Sequence, residues 1–301
     1  MKAPAFAYAR PTRLTEVFAL LEKHGDEARL LAGGQTLLAT LNMRLSEPGL
    51  LIDMQAVNEL TGISLVGNTL RNIVRIGAMV THSKVEASPL VAKHAPLLRM
   101  AAPHIAHRAI RNLGTFGGSI AYGDPAAEWP ACLLALDGVV IARSLQGERR
   151  LAAQDFFTGL YTTALQANEV IVACEVPICV PNQRFAFHEL VRRHGDYAVA
   201  GLAATAHAHD GVLKDVRLAW IGAGNMPQRS RATERVLDGS RLSEDLTAQA
   251  LQTLRSELQP EADLTHSVPA KQHLAGVLLT RALKTLSAPQ TVAGEAPVAS
   301  T

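Results

Sequence analysis

The chain has 301 residues, 48% of them hydrophobic and 19% charged, with a formal net charge of +2. That is enough chain for about two domains with buried cores, and too even a charge balance for a nucleic-acid surface. No apolar stretch approaches the roughly 20 residues that span a bilayer, and the opening "MKAPAFAYARPTRL" lacks the apolar core of a secretory signal. The chain therefore reads as cytoplasmic, without nucleic-acid partner or membrane insertion. Its cysteines, Cys132, Cys174 and Cys179, are odd in number and form no C-x-x-C. That argues against a disulfide scaffold and against a zinc or iron–sulfur site.

The first segment reads β-α-β-α-β. Leu14, Val17, Phe18 and Leu21 lie on one helical stripe, with Gly25 as its stop. "ARLLAG" reads as a short buried strand breaking into Gly33–Gly34, followed by a second stripe (Leu38, Leu41, Leu45) and a strand, "LLIDM". Strands separated by single helices predict parallel pairing. From about Asn58 the pattern changes: "TLRNIVRIGAMV" alternates like a strand pair. Ser83 and Glu86 have capping-box spacing and open a helical stretch through "SPLVAKHAPLLRMAAPHIA". "PAAEWPACLLALDG" reads as a helix, "GVVIARS" as a strand and "EVIVACEVP" as an alternating strand. Beyond Pro177, "FAFHELVRR", "AVAGLAATAHAH" and "VLKDVRLAWIG" read as strands, the last two joined by an Asp210-Gly211 hairpin. Helices are expected around 229–238, 243–257 and 269–286, and a disordered tail at 287–301.

Two Gly-Gly loops stand out, "AGGQT" at 32–36 and "GTFGGS" at 114–119. Without a Cβ, successive backbone N–H groups can close on the oxygens of a phosphate. The first loop also follows a strand and opens a helix, which adds a favourable dipole. Gln35, Thr36, Thr115 and Ser119 add side-chain donors. Two separated cradles fit a long diphosphate better than a mononucleotide. Neither loop is G-x-G-x-x-G, "GAGNMP" at 222–227 has Pro227 where a third glycine belongs, and no P-loop occurs. From the residues alone the reading is a dinucleotide-type cofactor site.

"LAGGQTLL", "AIRNLGTFGGSIAYGDPAAEWP", "NEVIVACEVP" and "RRHGDYAVA" occur in the order found in another group of proteins. On these motifs, over about residues 1–286, the chain resembles the FAD-binding medium subunit of the molybdenum hydroxylases, the xanthine dehydrogenase and carbon monoxide dehydrogenase family. The resemblance implies an α+β fold: a vanillyl-alcohol-oxidase (PCMH)-type FAD-binding domain of two lobes, plus a C-terminal α+β domain. The expected divisions are an α/β lobe at 1–56, a central α+β lobe at 57–177 and the C-terminal domain at 178–286. It implies non-covalent FAD, with Leu31, Ala32, Gly33, Gly34, Gln35 and Thr36 on one side of the diphosphate. Thr115, Phe116, Gly117, Gly118 and Ser119 are expected on the other, so that Gly117→Val fills the phosphate site and lowers flavin occupancy without unfolding the chain. Asp124 turns the chain after the second loop, Glu128 stands where relatives often have an aspartate on the cofactor hydroxyls, and Ile171 and His188 lie near the flavin ring. Tyr197 matches the aromatic residue that covers one flavin face. Departures are Leu113 for arginine, Phe116 for a smaller aliphatic, Tyr122 for histidine and Glu128 for aspartate.

Read without the resemblance, Tyr197 is a half-buried strand tyrosine and His188 a polar strand residue. His207 and His209 alternate on one strand face with no third ligand, so they read as a solvated edge. His104 and His107 are expected along the approach to the second loop. By resemblance this chain carries electrons and names no catalytic acid or base. The molybdenum cofactor sits on a large subunit and two [2Fe–2S] clusters on a small one, and the FAD passes electrons to NAD⁺, O₂ or a quinone-linked carrier. "HIAHRAIRN" leans toward enzymes that hydroxylate N-heteroaromatic rings rather than oxidise CO. The alternatives are a free-standing flavin oxidoreductase of the same fold and an assembly or scaffold protein without flavin.

Overall fold

The computed structural model describes residues 2–68 and 71–288. From residue 289 the expected tail lies outside the described residues. The N-terminal lobe runs β1 (Ala7–Ala9), α1 (Leu14–His24), β2 (Ala28–Leu31), α2 (Leu37–Asn42) and β3 (Leu50–Asp53). Its strands pair in parallel with β3 in the middle. Leu14, Val17, Phe18 and Leu21 all enter the core, and Gly25 ends α1 with φ of +49°. The second stripe behaves differently: of Leu38, Leu41 and Leu45 only Leu41 is buried. Six residues make fewer than two turns, so Leu45 falls past the helix end and Leu38 stays in solvent.

The central lobe begins with β4 (Ile63–Asn68) and β5 (Arg71–Gly77), then α3 (His82–Ala87), α4 (Pro89–His94), α5 (Pro96–Ala101), α6 (Arg108–Arg111), α7 (Phe116–Tyr122) and α8 (Glu128–Ala135). It continues with β6 (Val139–Ser144), β7 (Gly147–Ala152), α9 (Ala153–Phe156), the hairpin β8 (Phe157–Gly159) and β9 (Thr162–Thr163), and β10 (Val170–Pro177). The main sheet has the order β4-β5-β10-β6-β7 and is antiparallel throughout. Val170 to Val176 are buried on both faces because β10 is the central strand, which replaces the expected alternation. The helical stretch expected from Ser83 through Ala106 is broken at Pro89 and again at Pro96. Pro89 and Pro96 each open a new helix, because proline lacks the N–H that would continue the previous one. The expected capping box is also not formed. Thr81 caps α3 through the Lys84 N–H at 3.3 Å, while Ser83 reaches Asn112 and Glu86 reaches Arg111.

The C-terminal domain comprises β11 (Gln183–Leu190), β12 (Ala200–His209), β13 (Val212–Ile221), β14 (Gln228–Arg229), α10 (Arg231–Leu237), β15 (Ser240–Arg241), α11 (Glu244–Glu257) and α12 (Val268–Ser287). Asp210 and Gly211 both have positive φ, as the two-residue turn between β12 and β13 requires. The strand period of two divides this sheet's side chains. Ala186, Leu202, Leu218 and Trp220 share a core with Leu254, Leu278 and Leu279 of α11 and α12. Phe187, Ala203 and Ala219 join the central-lobe core beside α8. The C-terminal sheet thus closes over the central lobe.

Candidate cofactor-binding site

The two glycine loops touch. A Cβ on Gly33 would lie 2.3 Å from Leu113 O and 2.7 Å from Gly114 Cα, and one on Gly118 would lie 3.3 Å from Ala32 Cβ. Only glycine permits this approach. A cleft of about 530 Å³ follows the junction. Of the residues expected to hold a cofactor, Ala32, Gly33, Gly34, Gln35, Thr36, Thr115, Gly117, Gly118, Ser119, Asp124, Glu128, Ile171 and Tyr197 line it.

Three expected residues do not line the cleft. Leu31 ends β2, paired with Asp53 of β3. Phe116 is fully buried behind the loop, its ring centroid 5.0 Å from that of Trp129. His188 has the same parity as Ala186, so it faces α12, with Nε2 at 3.3 Å from Thr285 Oγ1. His104 and His107 also stand off the cleft; Ile105 and Ala106 line it instead. His104 packs on Phe187 with ring centroids 5.0 Å apart. His107 occupies the space where a Cβ on Gly195 would fall, 2.4 Å from its Cε1. Gly195, at φ of +86°, so seats the loop that carries Tyr197. Tyr197 is 71% exposed on that loop, not half-buried on a strand.

The loops differ in their donors. Among the described residues no hydrogen bond uses the backbone N–H of Gly33, Gly34, Gln35 or Thr36. Gln35 Nε2 donates to Gly33 O at 2.9 Å, bracing the loop from within, and Gly34 holds φ of +71°. In the second loop Phe116 N–H donates to Val80 O at 2.8 Å and Gly117 N–H to Ala78 O at 2.9 Å. Gly118 N–H reaches Thr115 Oγ1 at 3.1 Å and Ser119 N–H reaches Thr115 O at 3.1 Å. Among the described residues, the Thr115 N–H alone is left without a bond there. A Cβ on Gly117 would meet Ala78 Cβ at 2.5 Å, so valine there strikes the floor under the loop rather than the cleft. The first loop offers donors; the second is a wall.

Further along, Asp124 Oδ1 accepts the Ala126 N–H at 2.8 Å and closes the turn into α8. Burial raises the Asp124 carboxyl and pushes Glu128 up to about 7. Ile171 sits at a register shift of β10 against β6, a bulge of the kind that re-aims a side chain beside a site. Tyr122 and Tyr161 pair with centroids 5.0 Å apart, and burial pushes Tyr161 up to about 12. Behind the cleft, the side chain of Glu189 of β11 is enclosed with neither carboxylate oxygen hydrogen-bonded among the described residues, and His104 Nδ1 is 3.7 Å away. Burial, reinforced by Glu128, lifts Glu189 to about 8, and burial lowers His104, so at neutral pH this contact joins an acid to a neutral ring. His82 and Met79 line the cleft although no sequence pattern marked them. Their contribution comes from packing between distant segments.

The donor set fits a dinucleotide: consecutive free N–H groups, a long cleft, and a carboxyl able to meet hydroxyls. Residues 4–179 match the FAD binding domain in molybdopterin dehydrogenase, and residues 185–286 match the CO dehydrogenase flavoprotein C-terminal domain. The nicotine 6-hydroxylase medium subunit of Paenarthrobacter nicotinovorans is 40% identical over 94% of this chain and 98% of its own. Carbon monoxide dehydrogenase from Hydrogenophaga pseudoflava superposes with a TM-score of 0.91 at 35% identity, covering 95% of this chain and 98% of the other. Quinoline 2-oxidoreductase from Pseudomonas putida 86 gives 0.89 at 36% identity, with the same coverages.

Proposed function

Because the chain belongs to the FAD-binding medium subunits of the molybdenum hydroxylases, we propose that its cleft holds the FAD diphosphate on the Gly33–Thr36 N–H groups, with the second loop as the opposing wall. The observation that carries this is the contrast in free donors between the loops. The chain is an oxidoreductase component, and its FAD supplies the relay between one-electron and two-electron chemistry. The residues bind and orient that group. Gly33 to Thr36 present four N–H donors, Thr115 N–H a fifth, and the hydroxyls of Thr36 and Ser119 make no hydrogen bond among the described residues. Glu128 takes cofactor hydroxyls, Ile171 sets the depth of the ring, and Tyr197 covers one of its faces. Leu31, Phe116 and His188 make no contact.

The chain works beside a large molybdenum-cofactor subunit and a small [2Fe–2S] subunit, drawing electrons from the clusters and passing them to NAD⁺, O₂ or a quinone-linked carrier. The complex hydroxylates an N-heteroaromatic ring; the relatives named for nicotine and quinoline support this. Among the described residues no helix is long and apolar enough to cross a membrane. Purification from the native host, followed by a visible spectrum and substrate assays, tests the reading. Flavin bands over iron–sulfur absorbance, two further chains, and turnover of N-heteroaromatic rings but not CO are expected. A colourless single chain that takes up no FAD contradicts it.

A further inference from the structure

His82, the first residue of α3, is anchored under the second loop by its backbone N–H, which donates to Gly114 O at 2.9 Å. Its side chain is buried, yet it lines the cleft. Trp129, fully buried in α8, donates its indole N–H to His82 Nδ1 at 2.9 Å. An indole nitrogen can only donate. Nδ1 is therefore the lone-pair nitrogen, and the neutral ring carries its hydrogen on Nε2. Burial, helped by the positive charge of Arg111, lowers His82 to about 4, so the ring stays neutral under ordinary conditions.

Among the described residues the only side-chain hydrogen bond of His82 is at Nδ1, which leaves Nε2–H without a protein acceptor in a ring that lines the cleft. Its surroundings show why Gly114 is glycine. A Cβ there would stand 2.7 Å from His82 Nε2 and 2.8 Å from Cδ2, striking that edge of the ring. A Cβ on Gly33 would in turn stand 2.7 Å from Gly114 Cα. His82, Gly114 and the free N–H groups of the first loop thus adjoin one another along one edge of the cleft.

We propose that His82 is a cofactor-contacting residue: a neutral Nε2–H donor, fixed in one tautomer by Trp129, that bonds a diphosphate oxygen of FAD. This rests on the assignment of the cleft to FAD. An N–H held in place on the cleft wall without a protein acceptor is ready for a ligand, and an anionic oxygen makes the stronger, charge-assisted bond with it. A protonated ring could not accept the indole hydrogen, so the lock and the donor require the same neutral state. Trp129 acts as a positioning residue, through the imidazole and not on the cofactor.

The test uses the full chain, labelled with ¹⁵N-histidine and titrated with FAD. The proposal expects a pyridine-type Nδ1 and a pyrrole-type Nε2 in the flavin-free chain, and a shift of the Nε2 signals when FAD binds. His82→Leu weakens FAD binding by about tenfold or more, as loss of a hydrogen bond to a charged oxygen requires. His82→Gln, whose amide nitrogen can replace the Nε2–H, restores most of that loss. Trp129→Phe leaves the ring free to mix tautomers, which the nitrogen shifts report directly. Should His82→Leu fail to fold, the wild-type shifts and the Gln variant still decide the matter. Wild-type binding of FAD with unmoved Nε2 signals, or a folded Leu variant binding as tightly, overturns the role of His82 alone. A wild-type chain that takes up no FAD overturns both the role and the cleft assignment.

Discussion

The two glycine loops look alike in sequence and differ in what their backbone N–H groups meet. Gly33 and Gly34 belong to a turn whose four successive N–H groups have no protein acceptor among the described residues. Gly117 and Gly118 belong to the first turn of α7, where the N–H groups already reach Ala78, Thr115 and, through Phe116, Val80. Glycine is needed in both places for different reasons. In the first loop it permits φ of +71° at Gly34 and contact with Leu113 at Gly33. In the second it lets a helix settle on Ala78. A Gly-Gly pair therefore marks close approach of backbone, and a free donor is a separate property that only the hydrogen-bond pattern reveals.

Substitutions can break this contrast. The largest effect is expected from Gly33→Ala, whose Cβ meets rigid backbone of the other loop and not a movable side chain. It should cost about 3 kcal/mol of stability and most of the FAD affinity, read from a thermal melt and a flavin titration. Gly117→Ala should destabilise by about 2 kcal/mol through overpacking on Ala78, while the folded fraction keeps its affinity for FAD. That reverses the expectation for Gly117→Val drawn from the sequence, which assigned the penalty to the phosphate site. Should Gly117→Ala lose FAD at full stability, the wall assignment fails.

The contrast sharpens where the cleft meets the C-terminal domain. Glu189 has a folded pKa near 8 against an ordinary 4.5, so its contribution favours the folded state most below the ordinary value. That contribution is lost as pH rises toward 8. Glu189→Gln should therefore raise stability by about 1–2 kcal/mol above about pH 8.5, and change little near about pH 5. Melting curves at both values decide it, and an equal gain at both would remove the carboxyl from the explanation. The smallest effect is Thr115→Ala, which deletes the 3.1 Å cap on Gly118. It should cost about 1 kcal/mol and leave flavin affinity nearly unchanged.

Much of the architecture was legible because local rules decided it. The α1 stripe, the parallel first sheet and the Asp210-Gly211 hairpin follow from periodicity and turn chemistry. Leu45 and the Ser83–Glu86 box misled because both follow a helical period across places where no helix continues or where a distant partner competes. Arg111 draws Glu86 away at 3.0 Å. His188 carries a readable signal: Phe185 and Phe187 put the odd positions of β11 against the central lobe, which turns 188 to the opposite face, toward α12. Phe116 sits inside the motif, yet its bulk suits a core, and it is fully buried. His82 had no such signal, because its partner Trp129 lies 47 residues away and their meeting depends on the packed fold.

Amide hydrogen exchange of the full chain, with and without FAD, tests the division of labour between the loops most directly. The free N–H groups of Gly33 to Thr36 should exchange quickly without flavin and become strongly protected when it binds. Those of Phe116 to Ser119 should be slow in both states, since their acceptors lie within the protein. Protection by FAD that appears at 116–119 and is absent at 33–36 would contradict the account.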